Sequence, residues 1–416
     1  MTNLNSLLSK LPSPATKRIA LRVSAPAERA LHQNHPWVFD QAITQQSHDG
    51  APGDLAVIFD GNRRFLAVGM YDPTSFIRVR ILQHRQPAVI DADWYQSKLI
   101  AANQIRKPLA QQSTDGYRIV HGENDGLPGL VIDRYAETLV IKIYSPIWIP
   151  HLKDLCSALA KTNPAERLIL RLSRSLMKQS EFLHGLEDGK TLSGQSPEEP
   201  ILFRENDLTF ECDPFRGQKT GFFLDQRENR ARVEKLSKGK SVLNVFSYTG
   251  GFSVYAARGG AKEIVSVDSS APAIEAAIRN FSYNRHIPAE RSAIHETISE
   301  DAFEVLARMR SQKKMFDLVI LDPPMFAQNQ NQIAAGLSAY RKLTRLGLEV
   351  LRAGGILVQA SCSSRIDAET FFDTIHQTAR EANRRLTEIE RTAHPLDHPI
   401  KFDEGTYLKC LFATAF

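Results

Sequence analysis

The chain has 416 residues, enough for two or three domains, and its composition (42% hydrophobic, 24% charged) is that of an ordinary folded protein. No apolar run reaches the ~18 residues of a membrane span. Residues 1–14 lack a charged stretch leading into an apolar core, so neither an anchor nor a secretory signal is expected, and the expected location is cytoplasmic. A net charge of +5 and a pI near 8.9 admit a nucleic-acid partner without demanding one. The four cysteines (Cys156, Cys212, Cys362 and Cys410) are far apart and no histidines sit at ligand spacing, which predicts free thiols and no metal site.

Residues 17–91 read as a β-rich module. Strands are expected over 18–23, 54–59, 64–70 and 75–82, with Asp60-Gly61-Asn62 as a hairpin turn. Several short strands with turn signals suggest a small barrel. Trp37, in His35-Pro-Trp-Val-Phe39, reads as a core aromatic. Arg63, Arg64, Arg78 and Arg80 are candidate phosphate contacts, Arg78 and Arg80 sharing one strand face at period two. They read equally well as a solvated face. A helix over 94–112 follows, then a β-meander from Tyr117 to Tyr144 turning at Asp125-Gly126 and Pro128-Gly129, a helix over 150–161 and a strand over 168–172. The Gly-, Ser-, Pro- and acid-rich stretch 183–200 reads as a linker.

From Ile201 the pattern changes. A hairpin around Glu205-Asn206-Asp207 leads through a polar segment to a helix for which Asp225 is the expected N-cap, with Glu228 completing a capping box. Then strand (242–246), Gly250-Gly251 turn, helix from about Phe252 to Gly259-Gly260, strand (264–267) and acid (Asp268) form the nucleotide-binding half of a doubly wound sheet. The alternation continues with helices over 272–283 and 301–309, a short strand over 293–296, a buried strand over 316–321, a helix over 333–351 closed by Gly354-Gly355, a strand over 356–360, a helix over 368–383 and a final segment 407–416. The sheet is expected to end in an antiparallel pair. The expected division is 1–92, 93–200 and 201–416.

A dinucleotide site wants Gly-x-Gly-x-x-Gly, but Tyr248 and Phe252 flank the glycines here and leave less room for a pyrophosphate. They favour a smaller nucleoside such as S-adenosylmethionine, with a nicotinamide cofactor as the competitor. At the carboxyl ends of the strands lie Asp268, suited to a ribose diol, Asp301, either an adenine contact or a plain helix acid, and Asp322. Asp322-Pro-Pro is a stiffened loop able to hold a base. Amine methyltransferases place an aromatic directly after such a double proline, whereas Met325 here precedes Phe326. Cys362 follows a strand, with Arg365 nearby and a helix beginning shortly after. A cation and a helix N-terminus both lower a thiol pKa, which makes it a candidate nucleophile rather than a small buried hydrophobe. Carbon C5 of cytosine is a poor nucleophile until a thiolate adds at C6, so this chemistry needs a cysteine. The base must also be unstacked to be reached.

These motifs resemble the bacterial PUA-domain ribosomal RNA cytosine-C5 methyltransferase family, which acts on large-subunit (23S) RNA. The resemblance spans nearly the whole chain. It is carried by His35-Pro-Trp-Val-Phe39, Gly122-Glu-Asn-Asp-Gly-Leu-Pro-Gly-Leu130 with Asp133-Arg-Tyr135, and Gly217-Gln-Lys-Thr-Gly-Phe-Phe-Leu-Asp-Gln-Arg227. It continues through Asn244-Val-Phe-Ser-Tyr-Thr-Gly-Gly251, Asp322-Pro-Pro, Ser361-Cys-Ser363, Asp397-His-Pro399 and Tyr407-Leu-Lys409. It implies an α/β fold class: a Rossmann-like methyltransferase sheet at the C-terminus, a PUA-like β-barrel at the N-terminus and a central α+β domain. It further implies S-adenosylmethionine as methyl donor, Cys362 as nucleophile with Asp322 beside it, and RNA binding by the first domain. The candidate cofactor set is Gln226, Phe246, Ser247, Tyr248, Gly250, Asp268, Ser269, Asp301 and Asp322. The expected partner is 23S ribosomal RNA or the large subunit, with no membrane and a homodimer left open. The family often has Lys where this chain has Met325, and some relatives methylate guanine without a cysteine. Two other readings therefore stay open: a methyltransferase for guanine or another acceptor with Cys362 structural, and a non-catalytic RNA-binding or ribosome-assembly factor.

Overall fold

The computed structural model describes residues 7–327 and 329–416. The chain forms two compact units. Unit 1 takes the residues up to Arg204 together with Cys212–Phe222 and Leu396–Phe402. Unit 2 takes Glu205–Glu211, Phe223–Pro395 and Asp403–Phe416. No helix among the described residues is long and apolar enough to cross a membrane.

Unit 1 begins with a six-stranded mixed sheet. Its strands are β1 (Ile19–Val23), β2 (Trp37–Phe39), β3 (Ile43–Gln46), β4 (Leu55–Phe59), β5 (Phe65–Tyr71) and β6 (Ile77–His84), in the order β2-β6-β5-β4-β1-β3, with helix α1 (Ala25–His32) after β1. Alternation sets the buried face: Ile19, Leu21 and Val23 point into one core with Val38, Ile58 and Val79. The β4–β5 hairpin turns where Asp60 was expected to nucleate it, and the Asp60 carboxylate accepts from the backbone of Asn62 and Arg64. Trp37 is half-buried rather than a sealed core residue. Its indole N–H donates to Glu123 (2.9 Å) and its ring meets Phe402 edge-on at 5.2 Å.

Helix α2 (Ala92–Ala110) starts on an Asp91 cap that accepts from Trp94 N. Then come β7 (Gly116–His121), β8 (Leu130–Tyr135), β9 (Thr138–Ile143), α3 (Leu152–Thr162) and β10 (Arg167–Leu172). The stretch read as a linker contains a strand, β11 (Lys190–Ser193), antiparallel to β10, giving the sheet order β11-β10-β9-β8-β7. Its pairing partner lies some twenty residues away, which local composition cannot reveal. Segment Leu396–Phe402 is anchored in this unit: Arg106 donates to Asp397 O (2.9 Å), Arg118 N to the Asp397 carboxylate (2.9 Å) and Lys401 N to Asn124 (2.7 Å).

Strands β12 (Ile201–Glu205) and β13 (Leu208–Cys212) make the expected hairpin. Its turn residues Asn206 (φ 50°) and Asp207 (φ 65°) take the left-handed conformations a two-residue turn requires. Unit 2 is then a seven-stranded sheet in the order β16-β15-β14-β17-β18-β20-β19. Its strands are β14 (Ser241–Val245), β15 (Glu263–Asp268), β16 (Ile294–Ser299), β17 (Phe316–Leu321), β18 (Leu351–Ser361), β19 (Leu386–Thr392) and β20 (Lys409–Ala415). The helices are α4 (Arg227–Leu236), α5 (Gly251–Arg258), α6 (Ala271–Tyr283), the short α7 (Pro288–Ser292), α8 (Ala302–Ser311), α9 (Ile333–Glu349) and α10 (Ala368–Glu381). Strands β16 through β18 are parallel. Strand β20 runs antiparallel to both neighbours, the ending expected of the sheet. From β14 the strand order runs to β15 and β16 on one side and to β17 and β18 on the other. The crevice where a doubly wound sheet binds ligands therefore lies between β14 and β17.

Two local expectations fail here. Asp225 does not cap α4: it sits inside a single 3-10 turn, Leu224–Gln226, the cap position falls to Gln226, and Asp225 Oδ2 accepts from the Tyr407 hydroxyl (2.8 Å). Gly354 and Gly355 do not close α9, which ends at Glu349. They lie inside the start of β18, where Gly354 has φ 74° and the register with β17 shifts, so they form an irregularity in the strand rather than a helix terminus.

Candidate active site

The loop after β14 is held in unusual backbone geometry. Phe246 (φ 61°) and Tyr248 (φ 46°) are non-glycine residues at positive φ, conformations that persist only when their surroundings over-determine them. Ser247 N donates to Val267 O (2.9 Å), Tyr248 N to Asp268 Oδ2 (2.8 Å) and Gly250 N to Ser247 O (2.8 Å). Gly250 has φ 74°, and a Cβ there would stand 2.9 Å from the Ala277 methyl of α6. Only glycine fits both conditions. Asp268 Oδ1 accepts from Ser270 N (2.9 Å), so one carboxylate braces the loops after β14 and β15 and still has lone pairs for a diol. The Ser247 hydroxyl is buried with no hydrogen-bond partner among the described residues. An orphaned donor in a strained glycine loop at the switch point fits a polar nucleoside ligand. Ser269 is exposed beside Asp268. Asp301 caps α8, accepting from Phe303 N (2.9 Å) and Glu304 N (3.1 Å) through one oxygen.

Across the crevice, Asp322 follows β17 and accepts from Gln226 Nε2 (2.9 Å). Gln226 is buried and oriented in turn: its carbonyl accepts from Asn229 (2.6 Å), whose own carbonyl accepts from Thr392 (2.6 Å). The amide of Gln226 is thus committed to presenting N–H groups to Asp322. Phe223 meets Tyr248 edge-on at 5.1 Å. Phe246, Phe303, Phe326 and Tyr340 continue as a chain of ring contacts at 6.3, 6.4 and 4.9 Å. Met325 is 40% exposed.

Cys362 lies just past β18, and it is the one described cysteine that is not buried. Burial pushes the Cys156 thiol up to about 12 and drives Cys212 and Cys410 far above the ordinary thiol range, so those three are inert. The Cys362 turn is pinned on both flanks. The Tyr340 hydroxyl donates to Ser361 Oγ (2.8 Å), and Ser363 Oγ donates to Ala327 O (3.0 Å), tying the Cys362 turn to the Asp322-Pro-Pro loop. Burial raises the Tyr340 hydroxyl, and the charges of Cys362 and Asp322 raise it further, so one phenol lies within electrostatic reach of both. Lys409, at the head of β20, is also buried, and its ammonium donates to the carbonyls of Ser363 and Ile366. Tyr340 escaped the sequence-based reading, which named Lys409 only within Tyr407-Leu-Lys409 and gave it no role. A signal was present for Lys409, a charge opening the apolar run Cys410–Phe412 of a strand.

The candidate phosphate contacts separate into two pairs. Arg63 is exposed at φ 65° and lines, with Arg22, Gln45 and Phe59, a cleft of about 590 Å³. Arg64 donates to Asp60 (2.8 Å) with its side chain 76% exposed. Arg78 donates to the carbonyls of Asp72 and Pro73. Arg80, only 11% exposed, pairs with the Asp72 carboxylate (3.4 Å). Period two does place Arg78 and Arg80 together, and both are committed to the Asp72 turn.

Residues 118–413 match the family described as S-adenosylmethionine-dependent methyltransferase, and residues 21–84 match a PUA-like domain. The chain is 45% identical over 406 residues to a ribosomal RNA large subunit methyltransferase of Deinococcus radiodurans, covering 96% of this chain and 98% of that one. It is 34% identical over 401 residues to the ribosomal RNA large subunit methyltransferase I of Pseudoalteromonas translucida, covering 95% and 99%. Among solved structures, SMU.776, described as a methyltransferase complexed with SAH, shares the fold with a TM-score of 0.81 at 23% identity, over 95% of this chain and 99% of that one.

Proposed function

Because the chain belongs to the S-adenosylmethionine-dependent methyltransferase family and carries a PUA-like domain, we propose that it methylates C5 of a cytosine in large-subunit (23S) ribosomal RNA through a covalent Cys362 adduct. The relatives named for large-subunit ribosomal RNA support the substrate. The observation that carries the mechanism is the pairing of the accessible Cys362 turn with the Asp322 loop through the Ser363–Ala327 hydrogen bond.

S-adenosylmethionine, when bound, supplies an electrophilic methyl group on a sulfonium. The residues that would hold it are Phe246, Ser247, Tyr248 and Gly250 after β14, Asp268 and Ser269 after β15, and Asp301 at the rim, with Gln226 and Asp322 across the crevice. The Cys362 thiolate adds to C6 of the unstacked base, which makes C5 an enamine-like carbon able to accept a methyl group. Asp322, oriented by Gln226, hydrogen-bonds the N3/N4 edge and, as the carboxylic acid, donates to N3, where negative charge develops as the thiolate adds. Transfer of the methyl group to C5 would leave S-adenosylhomocysteine; water then takes the C5 proton, the thiolate leaves and the aromatic ring is restored.

For RNA contact we assign Arg63 and Arg64, which present guanidinium groups to solvent at one end of β5, while Arg78 and Arg80 hold the Asp72 turn at its other end. Charge reversal at Arg63 and Arg64 is expected to weaken RNA binding and reduce its salt slope by roughly one per lost phosphate contact. An unchanged slope removes them from the interface. A ribosomal RNA substrate also places the protein in the cytoplasm.

The test of the chemistry is methyl transfer from labelled S-adenosylmethionine to undermethylated large-subunit RNA, with the product nucleoside identified. Wild type is expected to yield 5-methylcytidine. A folded, cofactor-binding Cys362→Ala variant is expected to yield none. A methylguanosine product, or transfer that survives Cys362→Ala, gives Cys362 a structural role. No transfer to any RNA favours the assembly-factor reading.

A further inference from the structure

Strand β20 opens on a charge that its surroundings do not neutralise in the usual way. Lys409 is 4% exposed and lies opposite Ser361 in the antiparallel register with β18. Its ammonium donates to two neutral carbonyls, Ser363 and Ile366, which bracket the turn just after Cys362. The carbonyls engage two of its three donors but leave its charge uncompensated, and a buried uncompensated charge is costly. The acids that attract it are Cys362 and Asp367. Asp367 is exposed and already engaged as the cap of α10, accepting from Thr370 N (2.8 Å) and Thr370 Oγ1 (2.6 Å).

We propose that Lys409 is a positioning residue for Cys362: its buried ammonium fixes the 363–366 turn and supplies the positive charge that holds the Cys362 side chain as a thiolate. This rests on the reading of Cys362 as the nucleophile. Burial brings Lys409 down to about 8, partly opposed by Cys362 and Asp367, so it remains mostly protonated at neutral pH. The other groups around the thiol do not replace it. Tyr340 from α9 is neutral, and Asp322 from the loop after β17 opposes a thiolate. Arg365 on the same turn is exposed and screened by solvent. On ionisation the thiol proton passes to water, and the charge pair that remains is thiolate and ammonium.

The experiment is alkylation of Cys362 in the full chain by iodoacetamide, where the thiolate displaces iodide, followed against pH by peptide mass spectrometry without RNA. Wild type is expected to show an inflection below the ordinary thiol value of ~8.5. Lys409→Gln keeps N–H donors for the two carbonyls but removes the charge. It is expected to move the inflection upward and slow alkylation at pH 7 by about tenfold or more. Lys409→Arg keeps the charge and is expected to retain most of the rate. A wild-type inflection at or above ~8.5, or a Lys409→Gln profile that matches wild type, overturns the proposal, and the first of these needs no folded variant. Methyl transfer by Cys362→Ala, measured alongside, separates the two ideas. Lost transfer with an ordinary thiol profile rejects only the role of Lys409, whereas retained transfer rejects the nucleophile itself.

Discussion

Gly250→Ala is the sharpest perturbation of the candidate cofactor loop. Two costs add. An alanine at φ 74° occupies the left-handed region, at about 1–2 kcal/mol. Its methyl also stands 2.9 Å from the Ala277 Cβ and 3.2 Å from the Ala277 Cα, on a packed helix that has no flexible end to yield, and such overpacking costs about 1–3 kcal/mol. The sum, about 2–5 kcal/mol, falls on a loop whose register depends on the Gly250–Ser247 and Tyr248–Asp268 hydrogen bonds. If the loop absorbs the strain by shifting, Tyr248 and Asp268 lose their relative placement and the cofactor loses its seat. At ~1.4 kcal/mol per tenfold, affinity for S-adenosylmethionine should fall by roughly 30-fold or more. Isothermal titration with the cofactor and a thermal scan of the apo protein read the two routes, lost binding and lost stability. Wild-type affinity together with an unchanged melting temperature would refute the reasoning, because the steric and backbone terms cannot both vanish.

Three further outcomes are expected. Gln226→Glu places a second carboxylate against Asp322 where the amide now donates at 2.9 Å, so the two acids compete for a proton and methyl transfer should fall more than about tenfold at pH 7; Gln226→Ala should cost less, and equal rates would show that the contact is idle. Asp301→Ala should destabilise α8 by about 0.5–2 kcal/mol and Asp301→Asn should restore most of it, measured by denaturant unfolding; if Asn restores stability but not cofactor affinity, the carboxylate also serves the ligand. For Asp317, partial burial pushes the carboxyl up, but hydrogen bonds from Ser241 N and Arg352 outweigh it and leave it below its ordinary value of 3.8. A depressed acid contributes stability that is present above the unfolded value and lost as pH falls through the folded one. Asp317→Asn should therefore flatten the acid limb of the stability curve below about pH 4, and because Asp317 is only partly buried and its partner Arg352 is exposed the effect is small.

Local chemistry made much of the fold readable. Apolar runs of strand length, the Asp60-Gly61-Asn62 turn, and glycines at the end of α5 each act within a few residues, and each expected element forms. Polar edge elements escaped. Strand β19 is almost wholly exposed, so no apolar period marks it, and β11 lies in a stretch whose composition says loop. Both are strands because a distant partner offers a ladder, β20 to one and β10 to the other.

The candidate site divides along the same line. Residue types and their places at strand ends determined the cofactor loop, the acids Asp268 and Asp322 and the thiol Cys362, because a doubly wound sheet puts those positions at one edge wherever the helices pack. Tertiary structure alone decided how they are held. Gln226 reaches Asp322 from 96 residues away, Ser363 reaches Ala327 from 36, and Lys409 reaches the Cys362 turn from 46 and 43. It likewise turned Asp225 from a helix cap into a partner of Tyr407, and Arg78 and Arg80 from a surface stripe into braces of Asp72. The physical reason is that a side chain's type and spacing limit what it can bond, while its actual partner depends on which distant backbone the sheet brings within about 3 Å.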